Sequence, residues 1–166
     1  MDIFDFALKM ELDGEKFYRD LAGKTSFAEL KPVLEGLAED EKRHYQIIQS
    51  VQQQTLHFIE ADPALANLDN VFSKSKGVVP GDKEFVSRLK GEQTDAYRAA
   101  LEKEKESVEL YGKLGANAKG AEERTICNRL RQEEEKHVEL LEDIIDMLNH
   151  VHDWVDTAEF NNPDAY

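Results

Sequence analysis

Cysteine is nearly missing from this sequence: Cys127 is the only one. No disulfide can form within the chain, and a reducing, cytoplasmic setting is the simplest expectation. Proline and glycine are also scarce, at four and nine residues, so long stretches run without a breaker. No run of apolar residues approaches the ~18 needed to cross a bilayer, so a membrane partner is not expected. The opening segment, MDIFDFALKM, is acidic and has no basic flank leading into an apolar stretch, which argues against a secretory signal. Basic stripes are lacking too. The net charge is −14, and a nucleic-acid partner is therefore not expected. Solubility accounts for most of the acids. It does not account for a few that fall on apolar faces.

What is present reads as helix. The 166 residues suit a single all-α domain over 1–166 with one core. Helical periodicity covers about 4–22, 26–54, 94–115 and 120–149. Ser26 and Glu29 have capping-box spacing at the start of the second helix, and Pro32 lies where it could set the first turn apart or kink it. Residues 55–93 lie between the second and third helices, with Asp62-Pro63 and Gly81-Asp82 as plausible starts of short helices. A structureless loop of that length is unusual, and a crossover running along a four-helix bundle would explain it. The tail, about 150–166, is aromatic and acidic from Trp154 to Tyr166 and is expected to pack on the bundle or on a partner subunit.

The two halves repeat at an offset of 93 without a gap. Ala7 and Leu8 answer to Ala100 and Leu101, Glu11 to Glu104, Tyr18 to Tyr111 and Leu21 to Leu114. Leu37 answers to Leu130, Glu41 to Glu134, His44 to His137 and Ile48 to Leu141. Apolar matches alone mean little in helical sequences, but the polar ones point to two helical hairpins related by a pseudo-twofold axis.

Those polar residues lie on apolar stripes. The second helix reads Leu34, Leu37, Glu41, His44, Ile48, Val51, and the fourth Leu130, Glu134, His137, Leu141, Ile144, Leu148. The first reads Phe4, Ala7, Glu11, Tyr18, Leu21, and the third Leu101, Glu104, Val108, Tyr111. A buried, unpaired carboxylate costs several kcal/mol or takes up a proton. Four converging carboxylates would also repel one another. Two divalent cations would balance their charge of −4, with His44 and His137 as nitrogen ligands. Glu and His three residues apart share a helix face and reach one centre. The competing reading is a bundle whose core acids are protonated or salt-bridged. A lone Glu-x-x-His is weak evidence; two copies in register with two further core glutamates are strong. His57, His150 and His152 have no glutamate three residues before them and read as surface or structural residues.

Near Glu104 stand Glu102 and Glu106. Glu106 lies roughly 200° around the helix from Glu104 and would need a π-bulge to turn inward as an extra ligand. Tyr18 and Tyr111 fall two turns after Glu11 and Glu104, so each phenol is expected to bond a metal-bound carboxylate on a neighbouring helix. The alternative is a core tyrosine bonded to a backbone carbonyl or water. Cys127 matches Leu34 by offset and reads as core packing.

The segments MELDGEKFY (10–18), LAEDEKRH (37–44), EKEKESVELY (102–111) and RQEEEKH (131–137) together resemble the rubrerythrin family of ferritin-like proteins. A glutamate from each of two helices and a Glu-x-x-His from each of the other two is the ferritin-like di-iron pattern. The resemblance implies a ferritin-like bundle with a non-haem centre of two iron ions, for which zinc or manganese could substitute. It implies that Glu41 and Glu134 bridge the ions, Glu11 and Glu104 are terminal ligands, and His44 and His137 cap the ends. It further implies a homodimer that reduces hydrogen peroxide, with dioxygen the alternative oxidant in an iron-oxidising or iron-storing protein. A non-enzymatic metal-binding module is a third expectation. Full-length rubrerythrins also carry a rubredoxin domain with two Cys-x-x-Cys pairs. With one cysteine, this sequence has none, so electrons would come from a separate small electron-transfer protein. The family's additional glutamate, three residues after the third-helix ligand, is Ser107 here.

Overall fold

The computed structural model describes residues 3–53 and 94–160. They form four α-helices: α1 (Ile3–Lys24), α2 (Leu30–Gln52), α3 (Thr94–Asn117) and α4 (Ala121–Phe160). Connections at 25–29 and 118–120 are too short to allow anything but antiparallel hairpins, α1 with α2 and α3 with α4. Contacts of α1 with α3 and of α2 with α4 join the hairpins into an all-α four-helix bundle. The expected crossover over 55–93, with Asp62-Pro63, Gly81-Asp82 and His57, lies outside the described residues, as do residues 161–166 of the tail.

Two helix ends differ from the periodicity. The second helix begins at Leu30, not near Ser26, and its N-cap is Glu29 with no side-chain cap bond. Pro32 supplies the reason: at the third helical position its missing N–H falls among the four that have no intrahelical acceptor anyway. A start at Ser26 would have put the proline ring against a carbonyl of the preceding turn. The segment before it turns instead, with the Leu30 amide on the Phe27 carbonyl at 3.0 Å. At the other end, α4 continues to Phe160, so residues 150–160 of the expected tail are helical. The start of α4 is capped by chemistry the sequence carries openly. The Arg124 amide bonds the Gly120 carbonyl at 3.1 Å, and the Glu123 carboxylate reaches back to the Lys119 amide at 3.1 Å.

The stripes of α2 and α4 are buried along their whole length as read. The α3 stripe is rotated by about one residue. Ala100, Glu104, Ser107, Tyr111 and Leu114 face inward, while Leu101 and Val108 are only half-buried. The small side chains at 100 and 107 line the space between α1 and α3.

Apolar side chains gather in two clusters along the bundle. One holds Leu21, Leu30, Leu34, Leu37, Leu141, Ile144 and Leu148. The other holds Ala7, Ile47, Ile48, Leu114, Ile126 and Leu130, with Cys127 among them as expected. Burial pushes the Cys127 thiol up to about 11, aided by the Glu123 carboxylate, so it remains a protonated packing group. Between the two clusters lies a polar layer.

Candidate metal centre

Each helix contributes to that layer from the middle of its buried face: Glu11 from α1, Glu41 and His44 from α2, Glu104 from α3, Glu134 and His137 from α4. All six are at most 5% exposed. The i, i+3 spacing on α2 and α4 puts each glutamate and histidine one turn apart on the same face. His44 Nδ1 lies 3.0 Å from Glu134 Oε1 and 3.7 Å from Glu11 Oε2. His137 Nδ1 lies 3.0 Å from Glu134 Oε2, 3.3 Å from Glu41 Oε1 and 3.6 Å from Glu104 Oε2. The imidazole rings stack with centroids 5.7 Å apart.

Among the described residues these donors form two groups whose ligand atoms all lie within 4.8 Å of one another: Glu11, Glu41, His44 and Glu134, and Glu41, Glu104, Glu134 and His137. Glu41 and Glu134 belong to both. Six buried atoms here find no hydrogen-bond partner: Glu11 Oε2, Glu41 Oε1, both Glu134 oxygens, and Nδ1 of His44 and His137. Buried polar atoms without partners are rare and costly. Here they converge, and each is a ligand-type lone pair, which fits a bound cation. Glu106 is not brought in. It is exposed and pairs with Lys103 at 2.7 Å, because α3 keeps its regular α-helical turn past Glu104.

Tyr18 on α1 donates to Glu104 Oε1 on α3, and Tyr111 on α3 donates to Glu11 Oε1 on α1. The two bonds exchange under the 93-residue offset, and each ties the hairpins together at the level of the site. Burial, then the facing carboxylate, raises both phenols well above the ordinary tyrosine range, so they stay donors.

A second layer was not anticipated from the sequence. His44 Nε2 is 3.0 Å from Glu133 Oε2, and His137 Nε2 is 3.2 Å from Asp40 Oδ2. These carboxylates also obey the offset, since Asp40 and Glu133 each precede a core glutamate. Arg43 joins them, 2.9 Å from Asp40 Oδ1 and ion-paired with Glu133. The sequence signal was the repeat itself, which pairs acid with acid at 40 and 133. Direction was invisible, because a residue next to a core position can turn either outward or along the helix–helix seam. A carboxylate on Nε2–H fixes the tautomer and turns the Nδ1 lone pair toward the centre. His150 is exposed, as expected.

Without metal, Glu41, Glu104 and the two imidazoles favour their protonated forms. Burial and the charges of Glu134, Glu104 and Glu11 push Glu41 well above the carboxylate range. Burial and Glu134 raise Glu104 to about 7, with His137 and Tyr18 opposing. Burial works against charge on both imidazoles, yet Glu134 beside His44 and Glu104 beside His137 hold them well above the ordinary histidine range. Against its own burial, Glu134 is held far below the carboxylate range by the two histidines. Asp40 and Glu133 are likewise held low despite burial, each by its histidine and by Arg43. Metal ions would take the place of these protons.

The family model for rubrerythrin matches residues 2–145, which contain all six converging residues and both tyrosines. Comparisons with curated proteins and with solved structures return no match. No helix among the described residues is long and apolar enough to cross a membrane. With the match running through all four helices of the bundle, the chain belongs to the rubrerythrin family, within the ferritin-like di-iron superfamily.

Proposed function

We propose that this chain is a di-iron carboxylate protein that reduces hydrogen peroxide to water, with electrons restored by a separate small electron-transfer protein. The observation that carries the reading is the sharing of Glu41 and Glu134 by two four-residue donor groups. Glu41 and Glu134 would be shared between two ions, with Glu11 and His44 completing one donor group and Glu104 and His137 the other. Four carboxylates with one imidazole per ion suit iron, and zinc or manganese can occupy the same donors. A homodimer and a cytoplasmic location are part of the same proposal.

When bound, a ferrous pair supplies two electrons, one per ion, to an O–O bond. The chain's own residues hold the geometry. Asp40 and Glu133 fix the imidazoles through Nε2. Tyr18 and Tyr111 hold Glu104 and Glu11 by one oxygen each and leave the other free for metal. The apolar clusters shield the layer toward both ends of the bundle. Two protons must accompany the two electrons to yield two water molecules.

Anaerobic titration with ferrous iron is expected to saturate at two ions per chain. Hydrogen peroxide and dioxygen, added to separate samples and followed by absorption spectroscopy, are expected to oxidise the centre, with peroxide the faster. Peroxide turnover no faster than that of free iron at the same concentration would reject the reading. A second reading draws on Ser107, which stands where the family's additional glutamate would be. A centre with fixed ligands would suit oxidation of ferrous iron by dioxygen, and faster oxidation by dioxygen in the same experiment would favour it.

A further inference from the structure

A cavity of about 340 Å³ opens between α1 and α3 and ends at the metal donors. Its walls are Phe6, Met10, Phe17, Ala99 and Ala100. Polar groups occur only at its two ends. Glu41, Glu104, Tyr18 and Ser107 form the floor. Gly14 clears the way to them, since a Cβ there would sit 3.2 Å from Glu41 Oε2. Lys9, Asp13, Lys103 and Glu106 ring the mouth, two cations and two anions.

Hydrogen peroxide does not need such a space. It requires roughly twice a water molecule's share of about 30 Å³. Cavities of ~300 Å³ and above with apolar walls and a few convergent polar groups are typical of organic ligands. The charges at the mouth cancel and the floor is carboxylate, so neither end selects an anion. The ligand that fits is neutral, with an apolar body and a small polar head directed at the floor.

Resting on the peroxidase reading, we infer that this cavity binds organic hydroperoxides with an aryl or branched alkyl body, and that these are substrates of the same centre. The O–O bond breaks, two electrons come from the ferrous pair as it becomes diferric, and two protons are taken up, giving one alcohol and one water. The apolar body occupies the space among Phe6, Met10 and Phe17. Ser107, buried at the floor, offers its hydroxyl to the oxygen that carries the organic group.

Binding is tested apart from turnover. The unreactive product alcohol of cumene hydroperoxide, 2-phenylpropan-2-ol, is titrated into the zinc-loaded full chain with isotope-labelled methionine methyls. Saturable binding of one molecule per chain, with a dissociation constant on the order of 1 mM or tighter, is expected. The Met10 methyl should shift and that of Met147, on α4, should not. Ala99 is exposed at the mouth, so Ala99→Trp should fold normally and weaken this binding at least tenfold. In the iron-loaded protein the same variant should lower the ratio of cumene hydroperoxide to hydrogen peroxide turnover at least tenfold. An unsaturable titration, an unmoved Met10 methyl, or binding of dodecanoate without the alcohol would overturn the inference. Hydrogen peroxide turnover with cumene hydroperoxide slower than a hundredth of it would overturn the inference and leave the peroxidase reading standing. Failure of both peroxides despite alcohol binding would instead reject the peroxidase reading.

Discussion

Arg43 is the residue on which the outer layer depends. Its guanidinium lies between Asp40 and Glu133, and each of those carboxylates holds the Nε2 of a histidine. Removing the cation leaves buried Asp40 and half-buried Glu133 without their shared guanidinium. Breaking a buried pair from one side typically costs about 3–5 kcal/mol. Arg43→Met should therefore destabilise the metal-free protein by about 3 kcal/mol in urea unfolding, with metal affinity also reduced. Gly14 acts at the same scale in the opposite sense. Alanine there would gain about 1 kcal/mol of helix propensity, but its Cβ would press on the Glu41 carboxylate. In the metal-free protein Glu41 can shift by the few tenths of an ångström required. With its oxygens held by metal it cannot. Gly14→Ala should leave metal-free stability unchanged or raised while weakening metal binding about tenfold, as read by competition with a chelator.

The helices are held by the stripes that carry the ligands. Leu37 and Leu130, equivalent under the offset, each lie four residues before a shared glutamate and are no more than 1% exposed. Truncation of either to alanine leaves a cavity in a different apolar cluster, and each should cost about 2–5 kcal/mol by urea unfolding. Because the clusters lie on opposite sides of the polar layer, the two losses should add within about 0.5 kcal/mol. The elements also show where periodicity misleads. Spacing marked α2 correctly over its core, but proline chemistry moved its first residue to Leu30. On α3, Leu101 and Val108 matched the apolar rhythm, yet Ala100 and Ser107 took the inner face and Leu101 and Val108 are only half-buried. Such a choice depends on the neighbouring helix, which no single segment encodes.

For the molecule as a whole, the polar layer ties stability to pH with opposite signs in the metal-free and loaded states. Raised groups bind protons more tightly when folded, so their contribution is complete at low pH and declines as pH rises through the folded value. For Glu104 that decline runs from the ordinary carboxylate range up to about 7. For Glu41 it continues well above the ordinary carboxylate range, and for His44 and His137 well above the ordinary histidine range. Glu134, Asp40 and Glu133 are depressed, so their contribution is present above the ordinary carboxylate range and is lost only in stronger acid. The metal-free protein should thus melt at a lower temperature at pH 8 than at pH 5.5. Metal binding must displace the protons held by Glu41, Glu104 and the histidines. Affinity for zinc should therefore rise over the same interval, with proton release measurable in weakly buffered solution.

Much of this molecule is legible along the chain. Four helices, their pairing by short turns, and six ligand-type residues on buried stripes all follow from helical spacing and from a repeat at 93 residues. Those are local or periodic properties, and a helix imposes them on its own sequence. Other features exist only once four helices share one interior. Asp40 and Glu133 become imidazole partners, Arg43 their common cation, Tyr18 and Tyr111 ties between hairpins, Ser107 part of a cavity floor and Gly14 the gap that opens onto it. Each depends on the distance and rotation between helices, which packing sets after the helices have formed.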